Sequence, residues 1–467
     1  MKKPAPSLSS RRKFLKTTAL TGAVGAFAAN QSFAMASAPV QGKSKPAKNL
    51  IFLVVDGMCH GTLGLAHHWS LRNRGEPLNW MQLYNRPDLN QAKQDTASAS
   101  SPVTDSAAAS SAWGSGVRVN NGAINMTAEG KALKPIMSYA KEAGKATGLV
   151  TTCRVTHATP AGFTANVAKR GEEGTIARQY LDRDVDVILG GGTKIFKDDT
   201  VNLLPDFEAA GYTVCTDRSS LRASAGAPKL LGLFSKSHIP YALDRKNDKS
   251  LSEVPDLRTL FETALDSLSR SNNGFALQVE GGRVDHAGHA NDAAGILHEL
   301  LEFDQCIPIA LKFLEENPDT LLIVSTDHGT GGCQLDGFGK RYNGSGPALD
   351  RINQFKYTFE WLEKRFRKSG KFDATLFKQV TGIVSTEAQV AAMQAAIADP
   401  ETTYLTSAIS DVFKEEFTKI SATGWSSNKH NSENVDLLAF GPGSEAVGGY
   451  VRNNEVCNVM TSALALI

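Results

Sequence analysis

Seven side chains with metal-ligating chemistry fall at or near the ends of apolar runs in this sequence: Asp56, Glu280, Asp285, His289, Asp327, His328 and His430. Taken singly, each has an ordinary reading. An Asp-Gly after a strand is usually a turn, a lone histidine is more often a hydrogen-bonded structural residue, and Asp285 with His289 four positions on is a modest helix-face pair. Taken together, three Asp, one Glu and three His sit on segments that a parallel sheet would bring to one edge. Burying that much charge without a compensating cation is costly, and a divalent metal is the natural compensation.

The ligand types sort into sets. Asp285, His289 and His430 form a two-histidine, one-carboxylate group of the kind that holds catalytic zinc with one position left open. Asp56, Asp327 and His328 form a second. Asp56, Thr159 and Glu280 make a harder, oxygen-only group that suits magnesium, with waters completing its octahedron.

A further feature is VTDSAAASSAWGSGVRVNNGAI, residues 103–124, where Ser, Ala and Gly crowd around a single Asp-Ser pair. So little bulk cannot make much core, but it makes a helix whose neighbours can approach its backbone closely. Ser106 at the start of that helix is either a plain N-cap or a hydroxyl presented at a positive helix N-terminus, where an anion would bind.

The elements that must position these groups are strands. Eight short runs rich in Val, Ile and Leu recur: 48–57, 146–153, 184–192, 212–217, 230–235, 274–282, 320–329 and 435–443. Each is followed by Gly, Asp or Thr and then by a helical pattern. Continuous apolar runs alternating with helices predict an α/β fold, a large, mainly parallel sheet covered by helices on both faces. Ligands bind such sheets beyond the carboxyl ends of the strands. His430 stands apart, because it precedes the last run instead of following it. One long helical pattern spans 291–317 and ends at Asn317-Pro318. Residues 335–425 break the rhythm: a Gly-rich start and amphipathic stretches predict an insertion or cap on the sheet, placed to line the substrate entrance.

Charge and composition narrow the function further. Lys and Arg total 50 against 48 Asp and Glu, a net charge of +2, which leaves no electrostatic footprint for nucleic acid. No G-x-x-x-x-G-K-[ST] run supports P-loop chemistry. Residues 1–38, with Ser10-Arg11-Arg12-Lys13-Phe14-Leu15-Lys16, a modest apolar stretch and small-residue cleavage candidates, have the form of a twin-arginine export signal. The expected location is the periplasm or the outside of the cell. No later stretch reaches the roughly 20 apolar residues of a membrane span. The six cysteines contain no C-x-x-C pair, and their disulfide pairing is not legible.

With these residues assembled, the chain closely resembles the alkaline phosphatase family over essentially its whole mature length. The motifs that carry the resemblance are LVVDG at 53–57, VTDSAAASS at 103–111, VTHATPAGF at 155–163 with Arg170 after it, VEGGRVDHAGH at 279–289, STDHGTGG at 325–332 and KHNSENVDLLAFGPG at 429–443. Each is weak alone; six in order are highly specific. The resemblance implies that Ser106 is the nucleophile, forming a phosphoserine. It implies that the zinc set of Asp56, Asp327 and His328 activates Ser106 as a metal ligand. The set of Asp285, His289 and His430 then holds the leaving oxygen, and Arg170 grips two phosphoryl oxygens.

The same resemblance implies phosphate monoesters as substrates, two zinc ions and one magnesium ion as cofactors, and a homodimer. Two departures matter. Some family members carry Asp where this sequence has His157 and Lys where it has His286, which leaves His157 to reach the third metal directly or through water. The nucleophile run ends in Ser-Ser where many members keep Ala-Thr. His60, His67 and His68 match no family role and read as structural. A phosphodiesterase of the same superfamily and a non-catalytic metal- or phosphate-binding protein are the alternatives; a sulfatase is disfavoured by the lack of a C/S-x-P-x-R motif.

Overall fold

Apolar runs too continuous to alternate between core and solvent become strands buried on both faces. The structure, a computed structural model, describes residues 45–467, so the leader read at 1–38 lies outside the described residues. Among the described residues, ten strands form one sheet: β1 (Asn49–Val55), β2 (Asn90–Gln94), β3 (Ala146–Arg154), β4 (Val187–Gly191), β5 (Thr213–Cys215), β6 (Leu230–Leu233), β7 (Phe275–Gly281), β8 (Thr320–Thr326), β9 (Val435–Phe440) and β10 (Gly449–Val451). Their order across the sheet is β10-β2-β9-β8-β1-β7-β3-β4-β6-β5. The strands from β8 to β5 are all parallel. β9 lies antiparallel between β8 and β2.

β1 shows why the sheet is covered twice. Every residue of the strand is buried; Ile51, Leu53 and Val55 belong to one apolar core, while Leu50, Phe52 and Val54 belong to another on the opposite face. Each such side chain contributes about 1.5–3 kcal/mol on burial, and a charge on either face would have no water to meet.

All eight predicted runs are strands, and two more join them. GYV of β10 is the sheet edge and NQAKQ of β2 lies beside it; both are short and partly exposed, without the apolar run that marks a central strand. The predicted helix over 291–317 is two helices, Ala293–Asp304 and Cys306–Glu316. Pro308 accounts for the break: its ring would strike the carbonyl of Asp304, four residues back, in one continuous helix.

Residues 335–425 carry helices at Ser345–Asp350, Phe359–Ser369, Ala374–Thr381, Glu387–Ala398, Leu405–Val412 and Lys414–Ser421. A short antiparallel pair, Gln334–Leu335 with Thr423–Gly424, closes the base. Phe359, Phe366, Phe377, Phe413 and Phe417 join the core on one sheet face, so the segment extends that core. Two buried carboxylates dock it: Asp244 accepts from Thr358 N and Oγ1, and Asp292 Oδ2 accepts from Phe359 N at 2.8 Å.

Candidate active site

The predicted ligands arrive from separate strand ends at one edge. Asp56 follows β1, Glu280 lies near the end of β7, Asp285 and His289 occupy the helix Arg283–His289 just beyond it, and Asp327-His328 follow β8. His430 precedes β9, yet it reaches the same edge because β9 runs antiparallel to its neighbours. His430 also pairs with Thr330 in a two-stranded ladder. Gly57 turns the chain after Asp56 with φ +77°, and a Cβ there would lie 2.6 Å from Asp285 Cα. Only glycine allows the β1 turn to abut that helix.

Ligand atoms of Asp56, Asp327 and His328 cluster together, as do those of Asp285, His328 and His430. His328 Nε2 lies 3.2 Å from Asp327 Oδ2 and 3.6 Å from Asp56 Oδ1. His289 Nε2 and His430 Nε2 each lie 3.4 Å from an Asp285 oxygen. Thr159 Oγ1 is 3.5 Å from Asp56 Oδ2, and Thr151 Oγ1 donates to Glu280 Oε2 at 2.5 Å. Glu280 also lies within side-chain hydrogen-bond reach of Thr159 and Asp56, so all three predicted sets are brought together.

Hydrogen bonds outside the clusters set the histidine tautomers. His289 Nδ1 donates to Asn428 O and His430 Nδ1 to Thr104 O, both at 2.8 Å. Thr330 Oγ1 gives its proton to Asp285 Oδ1, so it accepts from His328 Nδ1 at 3.3 Å. Each neutral ring thus keeps its lone pair on Nε2, aimed inward, an arrangement typical of metal-ligating histidines. The Nε2 atoms of His289 and His430 face one another at 3.0 Å, where two lone pairs repel unless a cation lies between them. Buried Asp56 Oδ1, Asp327 Oδ2 and Glu280 Oε1 make no hydrogen bond.

Electrostatics point the same way. Burial, then Asp327, Asp285 and Glu280, holds the Asp56 carboxyl well above the usual range. Burial likewise pushes Asp327 and Glu280 up to about 7. Burial also opposes ionisation of Asp285, but His289, His430 and His328 outweigh it and hold its carboxyl well below the usual range. Burial lowers His430, yet Asp285 outweighs it and raises it to about 9, so that without a metal a proton on Nε2 stands in for the cation among His430, Asp285 and His289.

Ser106 opens the helix Ser106–Ser115, and Asp105 is its N-cap, accepting from Ala108 N at 3.0 Å. Of the two readings of Ser106, the plain N-cap falls to Asp105. The Ser106 hydroxyl lies 3.4 Å from His328 Nε2. The small residues of this helix have a packing reason: a Cβ on Gly114 would lie 1.9 Å from Gly162 O, and one on Gly162 would lie 2.1 Å from Ser110 Oγ. Arg170 Nη1 donates to Asp105 Oδ2 at 3.1 Å, and Nη2 donates to His157 Nε2 at 3.0 Å. Ser106, His157, Arg170, His289 and His430 line one cavity of about 600 Å³.

Sequence reasoning missed several groups there. Arg154 and His238 line the cavity, and so do Glu360, Glu363 and Tyr404 of the 335–425 segment. His238 follows β6 in a loop with no chemical signature in sequence. Cys153, His238 and His286 have mutually close ligand atoms, but arginines claim the rings. Both His238 nitrogens face Arg154 donors, and His286 Nδ1 accepts from Arg283 Nη1 at 2.9 Å. His238 offers the cavity no lone pair, and His286 is left with an N–H, so this cluster is not a metal site. His60 lies outside the cavity, bound to Glu433 and Lys93.

The family model for alkaline phosphatase matches residues 47–466. The chain belongs to the alkaline phosphatase family. It is 32% identical to alkaline phosphatase 4 of Bacillus subtilis, with 99% of each chain covered. The crystal structure of Thermus thermophilus alkaline phosphatase is 34% identical, with a TM-score of 0.82 over 91% of this chain and 92% of that one. A His-to-Asp variant of the alkaline phosphatase from the Antarctic bacterium TAB5, with magnesium bound in the M3 site, is 25% identical with a TM-score of 0.64 over 90% of this chain and 99% of that one. Alkaline phosphatases are metal-dependent hydrolases, and family and fold together support phosphate-monoester hydrolysis. No helix among the described residues is long and apolar enough to cross a membrane.

Proposed function

We propose that the chain hydrolyses phosphate monoesters through a phosphoserine on Ser106. Zinc ions are assigned to Asp285–His289–His430 and to Asp56–Asp327–His328, and magnesium to Asp56–Thr159–Glu280. The donor chemistry fits: inward Nε2 lone pairs with carboxylates suit zinc, and the oxygen-only set suits magnesium, the ion bound in the TAB5 variant. When bound, these ions supply Lewis-acid stabilisation of phosphoryl charge and favour the serine alkoxide.

The chain's own groups do the rest. Ser106 Oγ attacks phosphorus in line, the P–O bond to the leaving alcohol breaks, and water then cleaves the phosphoserine to release phosphate. Arg170 spends one N–H of each Nη on Asp105 and His157, which leaves one on each for two phosphoryl oxygens, the bidentate grip that a guanidinium suits. Because Arg170 can only donate, His157 Nε2 accepts and its Nδ1 carries the ring proton. A protonated nitrogen is no ligand, so in that tautomer His157 would meet the third ion through water.

The observation that carries this reading is Ser106 at a helix N-terminus, beside His328 and in one cavity with Arg170. The test is the ratio of aryl monoester to diester hydrolysis at alkaline pH by zinc- and magnesium-loaded protein, with Ser106→Ala beside it. A strong monoester preference that falls by roughly 10³-fold or more in the variant is expected; full activity in the variant overturns the phosphoserine. Export by residues 1–38 to the periplasm and homodimerisation belong to the same proposal. Cell fractionation of Arg11→Lys/Arg12→Lys and light scattering test them.

A further inference from the structure

The cavity that contains Ser106 has two halves of opposite character. One is lined by the inward lone pairs and carboxylates described above. The other is lined by Arg154, His238, Tyr241, Arg283 and His286, and there the uncommitted groups are donors. His286 accepts from Arg283 at Nδ1, so its Nε2 carries a proton and makes no further bond. Arg283 is 2% exposed, and its Nε–H is buried with no partner; the guanidinium lies 3.9 Å from the centre of the Tyr241 ring.

The carboxylates of that half are each engaged by donors. Glu360 binds Arg283 and Lys364. Asp292 Oδ1 accepts from Ala294 N and Gly295 N, and its Oδ2 from Phe359 N. Glu363 Oε1 accepts from Arg367 and Leu405 N. Arg154 keeps its direction through Glu173, which takes its Nε and one N–H of Nη2, while Nη1 donates to His238 Nε2 and Ser237 Oγ, so the second N–H of Nη2 is the one left over. A pocket wall whose carboxylates are each engaged by donors, and whose two guanidiniums keep N–H groups to spare, recognises an oxyanion.

We propose that this half of the cavity is a second oxyanion site beside the phosphoryl position, taking a phosphate, sulfate or carboxylate group. The group comes either from the substrate, as the second anion of a bisphosphate or phospho-acid, or from free phosphate. The site rests on the proposed function only in taking Ser106 as the phosphoryl end. About 600 Å³ of cavity leaves room for both groups.

The test compares a 1,3-diol bisphosphate with the matching monophosphate on the metal-loaded full chain, for the native protein, Arg154→Gln and Tyr241→Phe. Inorganic phosphate bound per chain is measured by equilibrium dialysis. If the second anion is the substrate's, kcat/KM favours the bisphosphate by about tenfold or more, a preference of about 1.4 kcal/mol. The preference then collapses in Arg154→Gln, and monophosphate turnover stays within about threefold. If it is free phosphate, the native chain binds two phosphates and Arg154→Gln binds one.

Equal kcat/KM for the two esters together with a single bound phosphate overturns the site. So does a preference that survives both variants. Should Arg154→Gln unfold because Glu173 is left unpaired, Arg154→Gln/Glu173→Gln removes the pair together and is read the same way. Loss of turnover in Ser106→Ala addresses the phosphoserine alone and leaves this result intact.

Discussion

Asp105 Oδ2 accepts a hydrogen bond from Arg170 Nη1 at 3.1 Å, while Asp105 Oδ1 caps the helix that begins with Ser106. One carboxylate therefore fixes both the direction of the candidate nucleophile's helix and the direction of the guanidinium that would hold its substrate. Removing the guanidinium should cost more than loosening it. Arg170→Ala is expected to lower kcat/KM for aryl monoesters by about 10²-fold, the scale of losing one charge-stabilising donor, and to narrow the monoester-to-diester ratio. Asp105→Asn, which keeps a capping oxygen, should lower kcat/KM less and leave the melting temperature nearly unchanged. Equal losses in the two variants would show that Asp105 does more than aim Arg170.

The metal-free protein should show an inverted pH dependence of stability. Its Asp327 and Glu280 carboxyls hold protons to about 7, whereas the unfolded chain loses them near pH 4. Between those values the native state binds more protons than the unfolded one. The stabilisation from these two groups is complete below about pH 4 and lost as pH rises through about 7. The melting temperature of chelated protein should fall between pH 5 and pH 8, and zinc with magnesium should restore it most strongly at pH 8. A flat or rising profile after chelation would contradict the assignment of uncompensated buried carboxylates.

Gly114→Ala sets two effects against each other. In a helix interior the change ordinarily stabilises by roughly 0.5–1 kcal/mol. Here the new methyl would lie 1.9 Å from Gly162 O, and overpacking of that kind costs about 1–3 kcal/mol or more. The net expectation is destabilisation by about 2 kcal/mol in urea melts, with a drop in kcat as the helix carrying Ser106 shifts.

Glu360 and Arg283 tie the 335–425 segment to the helix that carries Asp285. Arg283 is 2% exposed, and its Nη2 donates to Glu360 Oε2. Glu360→Gln leaves a buried guanidinium without its counter-charge, which should cost about 3 kcal/mol, toward the low end because the Glu360 side chain is itself 28% exposed. Differential scanning calorimetry checks this, and an unchanged transition would mean that water replaces the carboxylate.

Much of this architecture was legible in the chain. Central strands such as β1 and β8 are buried on both faces, so their residues are nearly all apolar and stand out. β2, one strand in from the edge, alternates exposed Gln91 and Lys93 with buried Ala92 and Gln94 and carries no such mark. The ligands were legible because Asp and His at strand ends are chemically conspicuous. Arg154 and His238 were not, since their significance lies in meeting one another across 84 positions. The direction of β9 was equally hidden: alternation and apolarity are the same whichever way a strand runs, and only His430, on the unexpected side of its strand, hinted at the reversal.

That reversal has a consequence for the order of events during synthesis. The candidate ligands span positions 56 to 430, and β9 must wedge between β8 and β2 before His430 can meet Asp285. The chain through His430 and β9 must leave the ribosome before the centre exists. A nascent chain that stops short of His430 has the nucleophile, the guanidinium and all four ligand carboxylates, yet has no closed site in which to use them.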